Sequence, residues 1–233
     1  IIIYKDGREF ENDSKLLSSI LRYLETPQHF RKRLYPKSGL LQFVGALSPI
    51  KMPNQTGTSD AKQVKNGDIR EGVIFPKDGK KYIDLGIDHS VPYHGKKAID
   101  KRTIVKIKNI FPDFTVYDID KNQIPNFWSY NVKHGGNLFT LLSEWKGPKI
   151  LTSRKSKKIK DEDIQNVLSS KEEILVVFGT TDKGIHEMLG KKISNVQNFK
   201  AWNFFPQQGT ETVRLEEAIL GSLSIINNYI FKK

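Results

Sequence analysis

The sequence predicts an α/β fold with a parallel sheet, interrupted by an inserted five-stranded β-barrel of the OB type. Three short apolar runs between residues 149 and 205 alternate with helical or loop segments, a pattern typical of a parallel sheet. Between residues 40 and 119 the hydrophobic period is strand-like, in runs separated by turn residues. We therefore expect one discontinuous α/β domain, residues 1–39 and 127–233, with the barrel over residues 40–126.

The N-terminal segment predicts one strand and two helices. Ile1 to Tyr4 is a largely β-branched run, which favours a buried strand. Residues 15–24 follow a helical period, which places Leu16, Leu17, Ile20, Leu21 and Leu24 on one helical stripe. Thr26 before Pro27 predicts the cap and first turn of a second short helix, which ends at Pro36.

The predicted barrel strands are residues 40–47, 70–75, 80–87, 102–110 and 114–119. Asp78-Gly79 is a strong signal for a hairpin between the second and third of them. In the fourth strand Val105 and Ile107 alternate with Lys106 and Lys108, which predicts apolar side chains inside and basic ones outside. Such five-stranded barrels commonly bind nucleic acids. We expect residues 49–68 to form a mobile loop of the barrel.

The last three predicted strands, residues 149–153, 174–179 and 201–205, each end in small or polar residues. Ligands of parallel sheets bind beyond the carboxyl ends of the strands, so these loops are expected to converge on one ligand. Ordinary caps and turns would explain the same residue types. After the third loop Thr212 is the predicted N-cap of a final helix, whose predicted buried stripe consists of Leu215, Ile219, Leu223, Ile226 and Ile230.

Composition limits the function classes. The 233 residues include 38 Lys and Arg against 26 Asp and Glu, a net charge of +12, which favours a nucleic-acid partner over a merely Lys-rich surface. With no cysteine, thiolate catalysis and Cys-ligated zinc are excluded, and a reducing cytoplasm is the expected location. No apolar run is long enough to predict a membrane span. Dinucleotide, P-loop, hydrolase and zincin motifs do not occur and the five histidines do not cluster, so we expect no metal.

Several basic clusters lie beside aromatic residues, a combination that suits phosphate contact and base stacking. Most charge runs are only solvated surface, but the net charge favours contact with nucleic acid. A further basic cluster comprises Arg154, Lys155, Lys157 and Lys158. The predicted RNA-binding residues are Arg31, Lys32, Arg33, Lys96, Lys97, Lys101, Arg102, Lys106 and Lys108.

Five segments resemble the SPOUT class of RNA methyltransferases, and in particular its archaeal and eukaryotic branch with an inserted OB-like barrel. They are ILRYLETPQHFRKRLYP, LQFVGALSPIKMP, GDIREGVIF, LVVFGTTDKG and FFPQQGTETVRLEEAI, in the expected order along most of the chain. The resemblance implies a C-terminal trefoil knot whose crossing includes Pro206, Gly209, Thr210 and Thr212. It also implies a further strand and helix before the position of Ile1.

The resemblance implies that S-adenosylmethionine lies in the knot, held largely by main-chain groups. The implied cofactor-binding residues are Thr152, Ser153, Phe178, Gly179, Thr180, Gly184, Phe204, Phe205, Pro206, Gln208, Gly209, Thr210, Thr212 and Val213. Gln207 departs from the family, in which a second glycine often stands at this position; this change affects how the loop approaches the cofactor.

The resemblance further implies methyl transfer to a structured RNA such as rRNA or tRNA, by a homodimer packed through the knot helices. Arg22 and Arg214 are the candidate catalytic residues, because guanidinium groups orient phosphates and base edges. A surface ion pair of Arg214 with Glu216 or Glu217 is the alternative. Two other functions stay open: a non-catalytic RNA-binding or ribosome-assembly protein that keeps the knot, and a single-strand binder with neither cofactor nor knot. The sequence leaves open whether base or ribose is methylated.

Overall fold

The computed structural model describes residues 1–5, 11–48, 50–55, 59–180 and 183–231. Within them the chain forms two compact units. The first comprises residues 1–3 and 11–133, and the second comprises residues 4–5 and 134–231. In this division, residues 11–39 and 127–133 belong to the same unit as the antiparallel strands.

The first unit combines two helices with an antiparallel sheet. The helices are α1 (Glu11–Glu25) and α2 (Gln28–Leu34). The strands are β2 (Ile69–Lys77), β3 (Lys80–Asp84), β4 (Val91–Pro92), β5 (Arg102–Asn109) and β6 (Thr115–Asp118). Their order is β4-β3-β2-β5-β6, in a sheet curled into a half-barrel. Its core consists of Ile74, Ile83, Leu85, Val91, Tyr93 and Val105.

Two predictions for this sheet are confirmed, the hairpin between β2 and β3 and the alternation of side chains in β5. Asp78 and Gly79 join β2 to β3 with φ of 49° and 72°, both in the left-handed region that a tight hairpin turn requires. In β5, Val105 and Ile107 are buried while Lys108 is exposed and Lys106 half-buried, so the side chains alternate as predicted.

The predicted strand over residues 40–47 is wrong. Two 3-10 turns, Gly39–Leu41 and Val44–Ala46, replace it. The Ser38 side chain accepts a hydrogen bond from the Leu40 N–H, which caps the first turn and favours helical over extended backbone. The fifth strand of the sheet is instead the short β4. The predicted loop over residues 49–68 contains 3-10 turns at Pro53–Gln55 and Ala61–Gln63, and its residues 49 and 56–58 lie outside the described part.

The apolar stripe predicted for α1 is not its buried face. Ser14 and Ser18, one turn apart, are its buried residues, whereas Leu16 and Leu17 are exposed. Ile20, Leu21 and Leu24 are half-buried. Thr26 does not cap α2: its hydroxyl donates to the Arg22 carbonyl at 2.8 Å and so closes the end of α1.

The second unit is a parallel sheet covered by helices, as predicted. Strands β8 (Lys149–Thr152), β9 (Leu175–Val177) and β10 (Phe199–Trp202) pair in parallel, in the order β10-β8-β9. The helices are α3 (Leu138–Glu144), α4 (Asp161–Leu168), α5 (Ile185–Leu189) and α6 (Leu215–Ile230). The first predicted strand instead forms β1 (Ile2–Lys5), which pairs with β7 (Lys133–Asn137) outside the parallel sheet. Ile3 in it is buried, and Ile2 and Tyr4 are half-buried.

Neighbouring residues of β8 face opposite sides of this sheet. Leu151 packs into a cluster with residues of α3 and α5, including Leu142 and Ile185. Ile150 packs into a second cluster with residues of α4 and α6, including Ile164 and Ile226. The sheet is therefore buried on both faces, which is why its strands are continuous apolar runs.

The final helix departs from its predicted pattern. Ser222 and Ile226 are its buried residues, whereas the other members of the predicted stripe, Leu215, Ile219, Leu223 and Ile230, are 37–48% exposed. Helix α6 covers the sheet with a narrow line of contact, so most of its apolar surface stays open in the single chain. Thr212 is not the N-cap: the helix begins at Leu215, and the Arg214 N–H donates to the Glu217 carboxylate at 3.1 Å.

Candidate functional site

A pocket of about 290 Å³ lies in the second unit, at the carboxyl ends of its parallel strands. The loops that follow β8, β9 and β10 all contribute to its wall, as does the first half of α6. The lining residues are Thr152, Ser153, Arg154, Lys155, Phe178, Gly179, Thr180, Lys183, Gly184, His186, Glu187, Asn203, Phe204, Phe205, Gln208, Glu211, Thr212, Val213, Leu215, Ala218 and Ser222. The three predicted loops therefore meet at one cavity.

Most of the residues predicted to hold the cofactor line this pocket. The exceptions are Pro206, Gly209 and Thr210. The position of a Gly209 Cβ has no heavy atom within 4 Å, so this residue faces open space. Beside it Gln207 has φ of 64°, in the left-handed region where glycine is unstrained.

Hydrogen bonds hold the three loops together. The Thr152 hydroxyl donates to the Val177 carbonyl at 3.0 Å, and the Ser153 N–H donates to the Trp202 carbonyl at 2.9 Å. The Asn203 amide donates to the Arg154 carbonyl at 3.0 Å. These bonds use backbone carbonyls and N–H groups that parallel strands leave unpaired at their ends, and they define the pocket wall.

Two further contacts orient the pocket walls. The Tyr4 hydroxyl donates to the Phe178 carbonyl at 2.5 Å, so the loop after β9 is tied to the N-terminal strand. The Arg154 guanidinium donates to the Glu211 carbonyl, which links the loop after β8 to the loop before α6. Arg154 therefore helps to position the loop before α6, which forms part of the pocket wall.

Glu187 is a pocket residue that the sequence prediction missed. Its carboxylate accepts from Lys155 Nζ at 3.0 Å and from the Gly184 N–H at 3.3 Å. The hydrogen bond from Lys155, followed by the bond from Gly184, holds the pKa of Glu187 below its ordinary value. The available signal was a glutamate three residues after Gly184, the residue before α5, which is the spacing of a capping box.

A glycine in α6 leaves room for an aromatic ring that forms part of the pocket wall. A Cβ on Gly221 would lie 2.6 Å from two carbons of the Phe205 ring, closer than atoms can pack. We expect Gly221→Ala to displace this ring and to lower the free energy of unfolding by roughly 1–3 kcal/mol, the usual cost of overpacking. Urea denaturation measures the change. Gly209→Ala is the control, and equal stabilities of the two variants would contradict the close contact.

The candidate catalytic arginines belong to different units. Arg22 is exposed at the end of α1 and donates to the Val132 carbonyl at 3.4 Å. Arg214 is exposed directly before α6. Its hydrogen bond to the Glu217 carboxylate is donated by the backbone N–H. The two residues are therefore joined through the backbone and not by the side-chain ion pair that was the alternative. Neither arginine lines the pocket.

The predicted RNA-binding residues divide into two groups. Lys32, Lys96, Lys97, Lys101 and Lys108 are exposed and Lys106 is half-buried, and Arg33 forms an exposed ion pair with Asp100 at 3.1 Å. Arg31 instead donates to the carbonyls of Leu24 and Thr26 at the end of α1. Arg102 is held between Glu25 and Glu71 at 2.7 and 2.6 Å. We therefore leave Arg31 and Arg102 out of the candidate RNA surface, because their guanidinium groups stabilise the first unit.

In the described part of the chain, no group of three or more His, Asp or Glu side chains is arranged to hold a metal ion. No described helix combines the length and the apolar character that crossing a membrane requires.

Relatives of this chain occur in archaea and animals. An uncharacterized protein of Haloarcula marismortui is 26% identical, over 90% of this chain and 79% of its own length. The human protein named 28S rRNA (uridine-N(3))-methyltransferase is 26% identical, over 90% of this chain and 59% of its own length. The Drosophila melanogaster protein of the same name is 26% identical, over 92% of this chain and 47% of its own length.

A family model covers almost the whole chain. The model described as "Putative RNA methyltransferase" matches residues 3–226, which include most of both units and every residue that lines the pocket. A methyltransferase needs a methyl donor as well as an acceptor, which is consistent with a cavity at the carboxyl ends of parallel strands. The chain therefore belongs to this family of RNA methyltransferases.

Proposed function

We propose that this chain transfers a methyl group from S-adenosylmethionine to a structured RNA, and that the pocket of the second unit holds the cofactor. The main support is positional: the loops that the resemblance assigns to the cofactor converge on one cavity beyond β8, β9 and β10. The resemblance also supports a trefoil knot over the segment before α6. It likewise supports RNA binding by the antiparallel sheet, in the manner of an OB-like barrel.

The chemistry of the pocket lining fits the parts of this cofactor. Phe178, Phe204 and Leu215 supply apolar surface for a flat base, while Lys155 and Glu187 supply opposite charges for an amino-acid group. When bound, S-adenosylmethionine supplies an electrophilic methyl group; the chemistry of that step belongs to the cofactor. The protein residues position the acceptor, and Arg22 and Arg214 are our candidates for orienting the RNA.

We propose a uridine of an rRNA as the acceptor. The animal relatives are named 28S rRNA (uridine-N(3))-methyltransferases, which supports this choice over tRNA. The N3 atom of uridine has a proton that must leave, so such a reaction needs a base besides correct positioning. The exposed lysines of the first unit, Lys32, Lys96, Lys97, Lys101 and Lys108, are the candidate phosphate contacts.

We further propose that two copies of the chain pair through the exposed face of α6. Leu220 and Leu223 are 72% and 44% exposed, and Ile219 and Ile230 on the same helix are 37% and 48% exposed. Several large apolar side chains exposed on one helix mark an interaction site. We expect Leu220→Glu combined with Leu223→Glu to convert a dimer to a monomer in sedimentation measurements, whereas Asn228→Glu on the same helix has no effect. A monomeric wild-type protein at micromolar concentration would contradict the proposal.

Two measurements test the proposed activity. Calorimetric titration of the purified protein with S-adenosylmethionine is expected to show saturable binding at one site per chain. Transfer of a radiolabelled methyl group to total rRNA, followed by nucleoside analysis, identifies the acceptor base. A folded protein that binds rRNA but neither binds the cofactor nor transfers the label would favour the non-catalytic RNA-binding function.

A further inference from the structure

Ser222 is a buried polar residue whose hydroxyl has no hydrogen-bond partner. Its side chain is fully buried, and its Oγ atom is among the few buried side-chain atoms of the described residues that make no hydrogen bond. An unsatisfied buried hydroxyl is unfavourable, because it has lost its bonds to water without gaining others. Ser222 also lines the pocket, so a bound ligand can supply the missing partner.

The position of Ser222 on α6 places it at the apolar end of the pocket. Leu215, Ala218 and Ser222 follow the i, i+3, i+7 spacing of one helix face, and all three line the cavity. One turn further on, Ile226 belongs to the core cluster that also contains Trp202 and Phe204. The Phe205 ring packs against Gly221, the residue next to Ser222. The hydroxyl is therefore a single polar group in largely apolar surroundings.

These surroundings determine which part of a ligand Ser222 can contact. An ammonium or carboxylate group is costly to bury without a charged partner, and the paired charges of this pocket are Lys155, in the loop after β8, and Glu187, in α5. A heteroaromatic base has apolar faces and an edge that both donates and accepts hydrogen bonds. A serine hydroxyl can likewise donate and accept.

We propose that the Ser222 hydroxyl hydrogen-bonds the adenine edge of S-adenosylmethionine, an inference that rests on the proposed function of the pocket. The apolar side chains on the same face of α6 pack against the faces of the base. Ser222 thus makes a side-chain contact to a cofactor that the resemblance assigns largely to main-chain groups. It distinguishes adenine from a flat apolar ring, which would leave the hydroxyl unsatisfied.

The test compares Ser222→Ala with wild type and with Ser224→Ala, an exposed serine on the same helix. Calorimetric titrations use S-adenosylmethionine and, separately, adenosine, which lacks the amino-acid part. We expect Ser222→Ala to weaken the binding of both compounds roughly 5- to 30-fold, the loss of one hydrogen bond. The melting temperature of the unliganded variant is expected to equal or exceed that of wild type, because an unpaired polar group is removed. Ser224→Ala is expected to match wild type.

Each other result contradicts a distinct part of the inference. Unchanged binding of S-adenosylmethionine by Ser222→Ala would show that the hydroxyl makes no contact with the cofactor. Weaker binding of S-adenosylmethionine with unchanged binding of adenosine would overturn the assignment to the adenine end. A lowered melting temperature of the unliganded variant would show that the hydroxyl has a structural partner. If wild type binds neither compound at millimolar concentration, the proposed function fails and this inference fails with it.

Discussion

Replacing Arg102 by methionine is expected to lower the free energy of unfolding by about 3–5 kcal/mol, the usual effect of removing one partner from a buried ion pair. The guanidinium lies between two carboxylates, 2.7 Å from Glu25 and 2.6 Å from Glu71. The three side chains are only 24%, 12% and 9% exposed. Methionine keeps much of the volume of arginine but leaves two buried negative charges without their cation.

The loss of stability in Arg102→Met is expected to depend on pH. Burial raises the pKa of Glu71 above its ordinary value of 4.5, Arg102 opposes this, and Glu25 adds to it. Without Arg102 the pKa of Glu71 rises further, so above pH 4.5 the folded variant holds more protons than the unfolded chain. Stability then falls as pH rises through this window and returns as pH falls. The difference between variant and wild type is therefore expected to be smaller at pH 5 than at pH 7.5.

Arg33→Met is the matched control for this experiment. Arg33 also pairs with a carboxylate, Asp100 at 3.1 Å, but the two side chains are 36% and 70% exposed. Exposed pairs contribute about 0–1 kcal/mol, so little change is expected. Urea denaturation at both pH values measures the two variants. A loss below about 1 kcal/mol for Arg102→Met would show that its ion pairs are no stronger than those on the surface.

The second large effect is expected at Gly179, in the pocket loop after β9. An added Cβ would lie 2.8 Å from the Lys183 carbonyl oxygen, and backbone atoms leave it little freedom to move. That carbonyl accepts a hydrogen bond from the Thr180 N–H at 3.1 Å, so the clash would also disturb the bond that holds the loop. We expect Gly179→Ala to weaken the binding of S-adenosylmethionine at least tenfold, an effect of about 1.4 kcal/mol or more.

Gly209→Ala provides the comparison for Gly179→Ala. The resemblance implies that both glycines contact the cofactor, but the structure places only Gly179 in the pocket lining. No heavy atom lies within 4 Å of a Cβ on Gly209, so its substitution is expected to leave the affinity within a factor of about two. Calorimetric titration measures both variants. A larger loss for Gly209→Ala than for Gly179→Ala would favour the loop assignment made from sequence over the one made from structure.

Local patterns in the sequence were sufficient to predict a structural element where one interaction dominates its formation. The apolar runs at 149–153, 174–179 and 201–205 predict parallel strands because a sheet buried on both faces accepts little else. Asp78-Gly79 predicts a hairpin because its two residues tolerate positive φ. The pocket loops were also predictable, because residues after the carboxyl ends of parallel strands meet at one edge. Segments of the chain that resemble the family then indicated the type of ligand.

Tertiary packing decided the features that depend on partners distant in the sequence. Residues 40–47 have the composition of a strand but form two 3-10 turns, the first of which contacts α1, a partner distant in the sequence. Arg102 looked like part of a basic RNA surface, yet its position between Glu25 and Glu71 makes it a structural residue. The periodicity of α6 predicted a wide buried stripe, whereas the sheet covers only the line of Ser222 and Ile226. Amphipathic periodicity determines that a helix has an apolar face. Only the shape of the neighbouring surface determines how much of that face is buried. The same surface determines which polar group is buried without a hydrogen-bond partner.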